Sequence, residues 1–235
     1  MKVIRLFVLI IFCASCGKDK ETLDAELYEK ADKKLAEMER LIETADCGNL
    51  SDWQIDTVFR GLRIGYIYLP VGNAIKKKYY DLKSEYSSLL EQAIKLDQRP
   101  VLAVPIRFEP HFGIECVSGH PKVLLSSDFN LERTKALLSE NIVSLETFYS
   151  SPRCSEVNRW IGLPIIKDCK LKYVLFLDDH SADTKAFRKL YEQHESLLKR
   201  LLQLNSNDFK CGNLILGQKE TDCENNTPII RDASN

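Results

Sequence analysis

Lys172-Tyr173-Val174-Leu175-Phe176-Leu177, running straight into Asp178-Asp179-His180-Ser181, is the stretch on which the architecture turns. Aromatic, β-branched and aliphatic side chains in one short run predict a buried strand, central in its sheet. The acidic pair ends it, and Ser181 is well placed to cap a helix. Beyond Ser181, Phe187, Leu190, His194, Leu197, Leu201 and Leu204 recur three or four apart, the stripe of an amphipathic helix. A strand feeding directly into a helix marks a mixed fold, α/β or α+β.

Moving outward, Asn130 or Asp128 can cap a second helix that reaches about Tyr149, with Leu138, Ile142, Leu145 and Tyr149 on its apolar face. Ile114 to Val117 and Lys122 to Ser126 flank the spacer Ser118-Gly119-His120-Pro121, which predicts a hairpin. Val101 to Phe108 is apolar with Pro105 inside it, the pattern of an edge strand. A short strand at Asn213 to Leu216 and a polar tail close the chain. Residues 100–235 thus predict a small sheet with two helices.

Residues 22–98 have a different texture. Leu27, Ala31, Leu35, Met38, Ile42 and Ala45 form one helical stripe, ended by Cys47-Gly48-Asn49. Ser51-Asp52-Trp53-Gln54 has the form of a capping box opening a second helix with Ile55, Val58, Phe59, Leu62 and Tyr66. A third comes after Pro70-Val71-Gly72, with Ile75, Tyr79, Leu82, Tyr86, Leu89, Ala93 and Leu96 on its stripe. Three amphipathic helices should pack together, either as a domain of their own or as one domain with 100–235. No internal repeat emerges: Cys47-Gly-Asn-Leu and Cys211-Gly-Asn-Leu agree over four residues, which chance supplies.

The first residues carry an address. Lys2 and Arg5 precede an apolar run from Leu6 to Phe12, and Ala14-Ser15-Cys16 comes at once. A basic start, a short apolar core and small residues before a cut make a secretory signal peptide over 1–15. The run is well short of the ~20 residues that a membrane-crossing helix needs. Cys13-Ala14-Ser15-Cys16 resembles the lipobox of bacterial lipoproteins, with Cys13 where Leu is usual. The resemblance implies that Cys16 becomes the first residue of the mature chain and carries lipid, palmitate included. Residues 16–21, with the charged run Lys18-Asp19-Lys20-Glu21, then serve as a tether. Lipoproteins with Asp directly after the cysteine stay in the inner membrane; Gly17 stands there, so the resemblance points to the outer membrane.

With Lys2 and Arg5 removed from 33 basic side chains against 34 acidic ones, the mature chain is near −3. Both signs are spread along it, which leaves no footprint for nucleic acid. Six cysteines remain after Cys13 and Cys16: Cys47, Cys116, Cys154, Cys169, Cys211 and Cys223. An even number in an exported chain predicts disulfides. Short loops favour Cys211–Cys223 and Cys154–Cys169, leaving Cys47–Cys116.

Asp178, Asp179 and His180 are the best candidates for chemistry. They sit where a strand gives way to a helix, and could hold a divalent metal or share acid–base work. Equally, Asp179 and Ser181 can simply cap the helix, with His180 in solvent. Arg107, Glu109, His111 and His120 gather around the predicted hairpin and could converge on an anion or a metal if the strands pair so; loop polarity is the simpler explanation. His194 lies in an apolar seam and is expected to be a core residue with one hydrogen bond. Tyr66, Tyr68, Tyr79, Tyr80 and Tyr86 could form a stacking platform for sugars, although Tyr79 and Tyr86 fit a core stripe. No nucleophile elbow, phosphate loop, dinucleotide fingerprint or HExxH helix is present, and no cofactor is implied. The expected role is a lipid-anchored envelope binding module with a protein or small-ligand partner, such as an immunity lipoprotein that neutralises a toxin. The alternatives are an envelope hydrolase or metal-dependent enzyme using Asp178, Asp179 and His180, and a carbohydrate-capture lipoprotein.

Overall fold

The computed structural model describes residues 20–60, 65–97, 109–154, 159–205 and 219–232. They fall into two compact units with their own cores. The first comprises the described residues up to 97 together with Gly113–Val123. The second comprises Glu109–Phe112 and the described residues from Leu124 onward.

In the first unit, α1 (Lys20–Glu43) and α2 (Lys76–Leu96) pack together over a hairpin of β1 (Trp53–Phe59) and β2 (Tyr66–Gly72). A second hairpin, β3 (Ile114–Val117) and β4 (His120–Val123), packs against the first. Ala31, Leu35, Met38 and Ile42 of α1 are buried against Tyr79, Leu82, Tyr86 and Leu90 of α2, with Val58, Leu69 and Val71 beneath them. The first and third predicted helices are therefore present. The second is replaced by the β1–β2 hairpin. Asn49 caps only a short 3₁₀ turn, Leu50–Asp52, by accepting from the Ser51 amide at 3.2 Å. Trp53, Ile55, Thr57 and Phe59 are β-branched or aromatic and alternate with Gln54, Asp56 and Val58, so tertiary pairing overrides a helix-like apolar spacing.

The second unit repeats this order. α3 (Leu131–Glu146) precedes a hairpin of β5 (Trp160–Lys167) and β6 (Lys170–Leu177). Then come α4 (Ala182–Leu204) and a hairpin of β7 (Lys219–Glu224) and β8 (Thr227–Asp232). Three expectations about strands are corrected, two in this unit and one in the first. The Lys172–Leu177 strand is not central: among the described residues it pairs only with β5, a strand that the sequence reading missed. The polar tail is the β7–β8 hairpin, held by the two-residue turn Asn225-Asn226 with both φ positive. The same kind of turn at Ser118-Gly119 leaves His120 and Pro121 in β4 rather than in a spacer. The predicted strands at 101–108 and 213–216 lie outside the described residues.

The parallel between the units extends to residues. Cys47 and Cys116 form one disulfide and Cys154 and Cys223 the other, each across 69 residues of sequence. The loop-proximity pairings Cys154–Cys169 and Cys211–Cys223 are thus overturned, while Cys47–Cys116 stands. The amide of Cys47 donates to Gly119 O (3.1 Å), and that of Cys154 to Asn226 O (3.2 Å). Trp53 Nε1 donates to Cys47 O (2.8 Å), and Trp160 Nε1 to Arg153 O (3.0 Å). Cys47/Cys154, Trp53/Trp160, Cys116/Cys223 and Pro121/Pro228 are four pairs with one common separation of 107 positions. So are the buried helix positions Ala31/Leu138, Leu35/Ile142 and Met38/Leu145. The chain contains an internal tandem repeat of an α–ββ–α–ββ module, contrary to the sequence expectation.

Each hairpin also carries one proline: Pro70, Pro121, Pro164 and Pro228. The alternation of ladder bonds from each turn places all four at positions whose amide would point away from the partner strand, where proline loses no bond.

Candidate functional site

Leu177 ends β6 and Ser181 opens α4, accepting from the Thr184 amide at 3.1 Å. Asp179 accepts from the Ser181 amide at 3.0 Å and lies in hydrogen-bond contact with the Thr184 hydroxyl. Hydrogen bonds from Ser181 and Thr184 hold its carboxyl down at about 2. Asp178 pairs with Arg188, further along α4, at 2.7 Å. His180 is exposed with φ +61° and makes the sharp turn between them. The three side chains are brought together in sequence but spent separately: one caps, one forms an ion pair, one points to solvent. Among the described residues no group of three His, Cys, Asp or Glu side chains is arranged to hold a metal.

The second predicted cluster is divided. Arg107 lies outside the described residues. Glu109 accepts from the Ser126 hydroxyl (2.8 Å), and the His111 carbonyl accepts from Gln193 (2.7 Å), both within the second unit. Burial, then Lys189, pushes the His111 imidazole below its ordinary range. His120 belongs to the first unit, its Nδ1 3.1 Å from Ala45 O. His194 is 2% exposed as expected for a core residue, but neither ring nitrogen has a hydrogen-bond partner. Burial drives its value down to about 4.

The tyrosines separate by burial. Tyr79 and Tyr86 are core residues, whereas Tyr66 and Tyr80 are exposed. Tyr79 donates to Asp56 Oδ2 (3.0 Å), and Lys83 grips the same carboxylate at 2.7 and 2.9 Å. Burial and then the Asp56 charge raise the Tyr79 phenol well above its ordinary range. Tyr86 donates to Phe59 O, and burial lifts it to about 12. This network was missed from sequence. Its signal, Asp56 on the core-facing side of β1, exists only once that segment is a strand.

Two concave surfaces accompany these elements. In the first unit a groove of about 330 Å³ runs along α2, with Val58, Phe59, Tyr86, Leu90 and Ile94 as its apolar wall. In the second, a cavity of about 340 Å³ lies between the end of α3, β6 and β8, lined by Leu145, Tyr149, Tyr173 and Ile230 among others. Cys169 is disulfide-bonded; Cys16 and Cys211 lie outside the described residues. No helix among the described residues is long and apolar enough to cross a membrane. No protein-family model, curated protein or solved structure matches the chain.

Proposed function

We propose that the chain is an exported, lipid-anchored protein of the bacterial cell envelope whose paired modules bind a protein partner, the anchor being Cys16 in the outer membrane. The observation that carries this reading is the matched pair of disulfides, Cys47–Cys116 and Cys154–Cys223. Disulfides of this structural kind persist in oxidising compartments, the destination that the leader and Cys16 specify. A duplicated, twice-stapled module after a charged tether suits a protein that presents surface from a membrane. The enzyme reading has less support, because Asp179 and Asp178 already serve the helix cap and Arg188. Detergent partitioning and mass measurement of wild type and Cys16→Ser provide the test. The wild type is expected in the detergent phase with added lipid mass, and Cys16→Ser in the aqueous phase. Both proteins remaining aqueous would overturn the anchor.

A further inference from the structure

We propose that the groove along α2 of the first unit takes a fatty-acyl chain carried on Cys16 of the same molecule. The proposal rests on lipidation of Cys16 and goes beyond it, assigning the anchor a place to lie when no bilayer is present. The groove's wall is aliphatic and aromatic, and its flanking charges are already matched. Lys83 holds Asp56, and Lys95 holds Glu91 at 2.7 Å. It therefore offers apolar area without an unpaired charge for a polar ligand. From Lys83 to Lys95 it tracks twelve residues of helix, about 18 Å at the usual rise, the scale of an extended acyl chain.

Its position names the occupant. α1 and α2 are antiparallel: Tyr28 donates to Asp97 (3.1 Å), and Lys34 pairs with Glu85 (3.0 Å). The end of the groove at Ile94 and Lys95 thus lies at the level of the early turns of α1. Cys16 is four residues before Lys20, a reach of up to about 14 Å. Lys20 to Tyr28 is about 12 Å of helix. A lipid on Cys16 can therefore fold back to the groove mouth. In water the groove would cover apolar chain that a bilayer would otherwise cover.

The test uses two forms of the full mature chain: lipidated protein, and Cys16→Ser protein made without lipid. Each is titrated with the fluorescent fatty acid cis-parinaric acid in detergent-free buffer. Cys16→Ser is expected to bind it saturably at one site, and the lipidated form at least tenfold more weakly because its own chain competes. Ser87→Trp in the Cys16→Ser background, a substitution at an exposed position on the groove, should reduce binding at least tenfold. If that variant does not fold, Glu91→Trp on the same rim replaces it. Failure of Cys16→Ser to bind would overturn the groove. Equal binding by both forms would show that it takes fatty chains but not the anchor, and overturn the occupant. An unlipidated Cys16 in the mass of the wild type would remove the anchor itself, independently of the titration.

Discussion

The two units share an order of elements, a cystine and a tryptophan, yet fill their cores differently. The first uses rings with polar tips that reach strand groups: Tyr79 ends on Asp56, and Tyr86 on Phe59 O. The second stacks Phe148, Tyr149, Trp160, Phe176 and Phe187 into one aromatic cluster, and buries His194 with both nitrogens unanswered. What is common is therefore the backbone staple, and what varies is how polar atoms are satisfied. Burial of an unpartnered imidazole is a cost that the described residues of the first unit do not carry. The chain has one tryptophan in each unit, so Trp53→Phe leaves a reporter of the second and Trp160→Phe a reporter of the first.

The largest expected effect tests the shared staple. Both bridges span equal stretches of sequence, so each should restrict its unfolded chain by about 4 kcal/mol, somewhat less in the second unit, where the Cys169 disulfide falls within the span. Cys47→Ser/Cys116→Ser and Cys154→Ser/Cys223→Ser should lower the denaturant midpoint of the matching unit by similar amounts, read from its own tryptophan. A large loss in one and none in the other would break the energetic parallel. The second unit also holds Cys169 in a disulfide. On the proposed processing, which removes Cys13 and lipidates Cys16, peptide mapping should join Cys169 to Cys211.

The next effect separates the units by pH. An unfolded imidazole takes a proton as pH falls through 6.5, whereas folded His194 resists until about 4. Above pH 6.5 the residue adds no pH dependence. Between 6.5 and 4 the unfolded chain binds the extra proton, so stability falls with pH, by about 3 kcal/mol in all. His111, in the same unit and shifted the same way, adds to this. Urea melts of Trp53→Phe should show the loss over this window. It should shrink in His194→Phe and be absent from the first unit's signal. Equal acid sensitivity in both units would remove His194 as its cause.

The first unit has its own weak point of smaller size. Asp56→Ala leaves the buried Tyr79 hydroxyl without its acceptor and Lys83 with only the Thr57 carbonyl at 3.4 Å, at a cost of about 2 kcal/mol. The Trp160→Phe reporter should record it while the second unit's midpoint holds. A change below about 0.5 kcal/mol, the range of ordinary surface substitutions, would show that water replaces the carboxylate.

Much of the helical framework was legible because α1, α2, α3 and α4 each carry a sustained three-to-four stripe and, for α3 and α4, a capping Asn130 or Ser181. Of the strands, β3, β6 and the end of β4 were legible; β1, β2, β5, β7 and β8 were not, because a strand of six to eight residues shows its alternation only against its partner. Ile55, Val58 and Phe59 fit a helix wheel and a strand equally well. The capping alternative for Asp179 and Ser181 was legible from turn chemistry alone. The repeat was hidden because its signal is not local identity but equal spacing of rare residues. Two tryptophans, two cysteine pairs and Pro121/Pro228 keep one separation while the residues between them diverge. The Tyr79–Asp56–Lys83 network joins β1 to α2, and no sequence window contains it.

The smallest effect probes a device that the units do share. Ladder alternation turns the Phe59 and Pro164 carbonyls away from their partner strands, and each accepts from a tyrosine of the next helix in the chain. Tyr86 covers Phe59 O, and Tyr191 covers Pro164 O at 2.8 Å. An unpaired edge carbonyl beside a helix is poorly placed to recruit water, so the phenol stabilises the edge and fixes the helix over it. Removing one neutral hydrogen bond should cost about 1 kcal/mol. Tyr86→Phe and Tyr191→Phe should therefore lower the midpoints of the first and second unit by nearly equal steps, each without disturbing the other. Both rings stay in place, so packing is retained and the difference isolates the hydroxyl. Unequal steps would mean that the capped edge is a coincidence of two cores rather than a property of the repeated module.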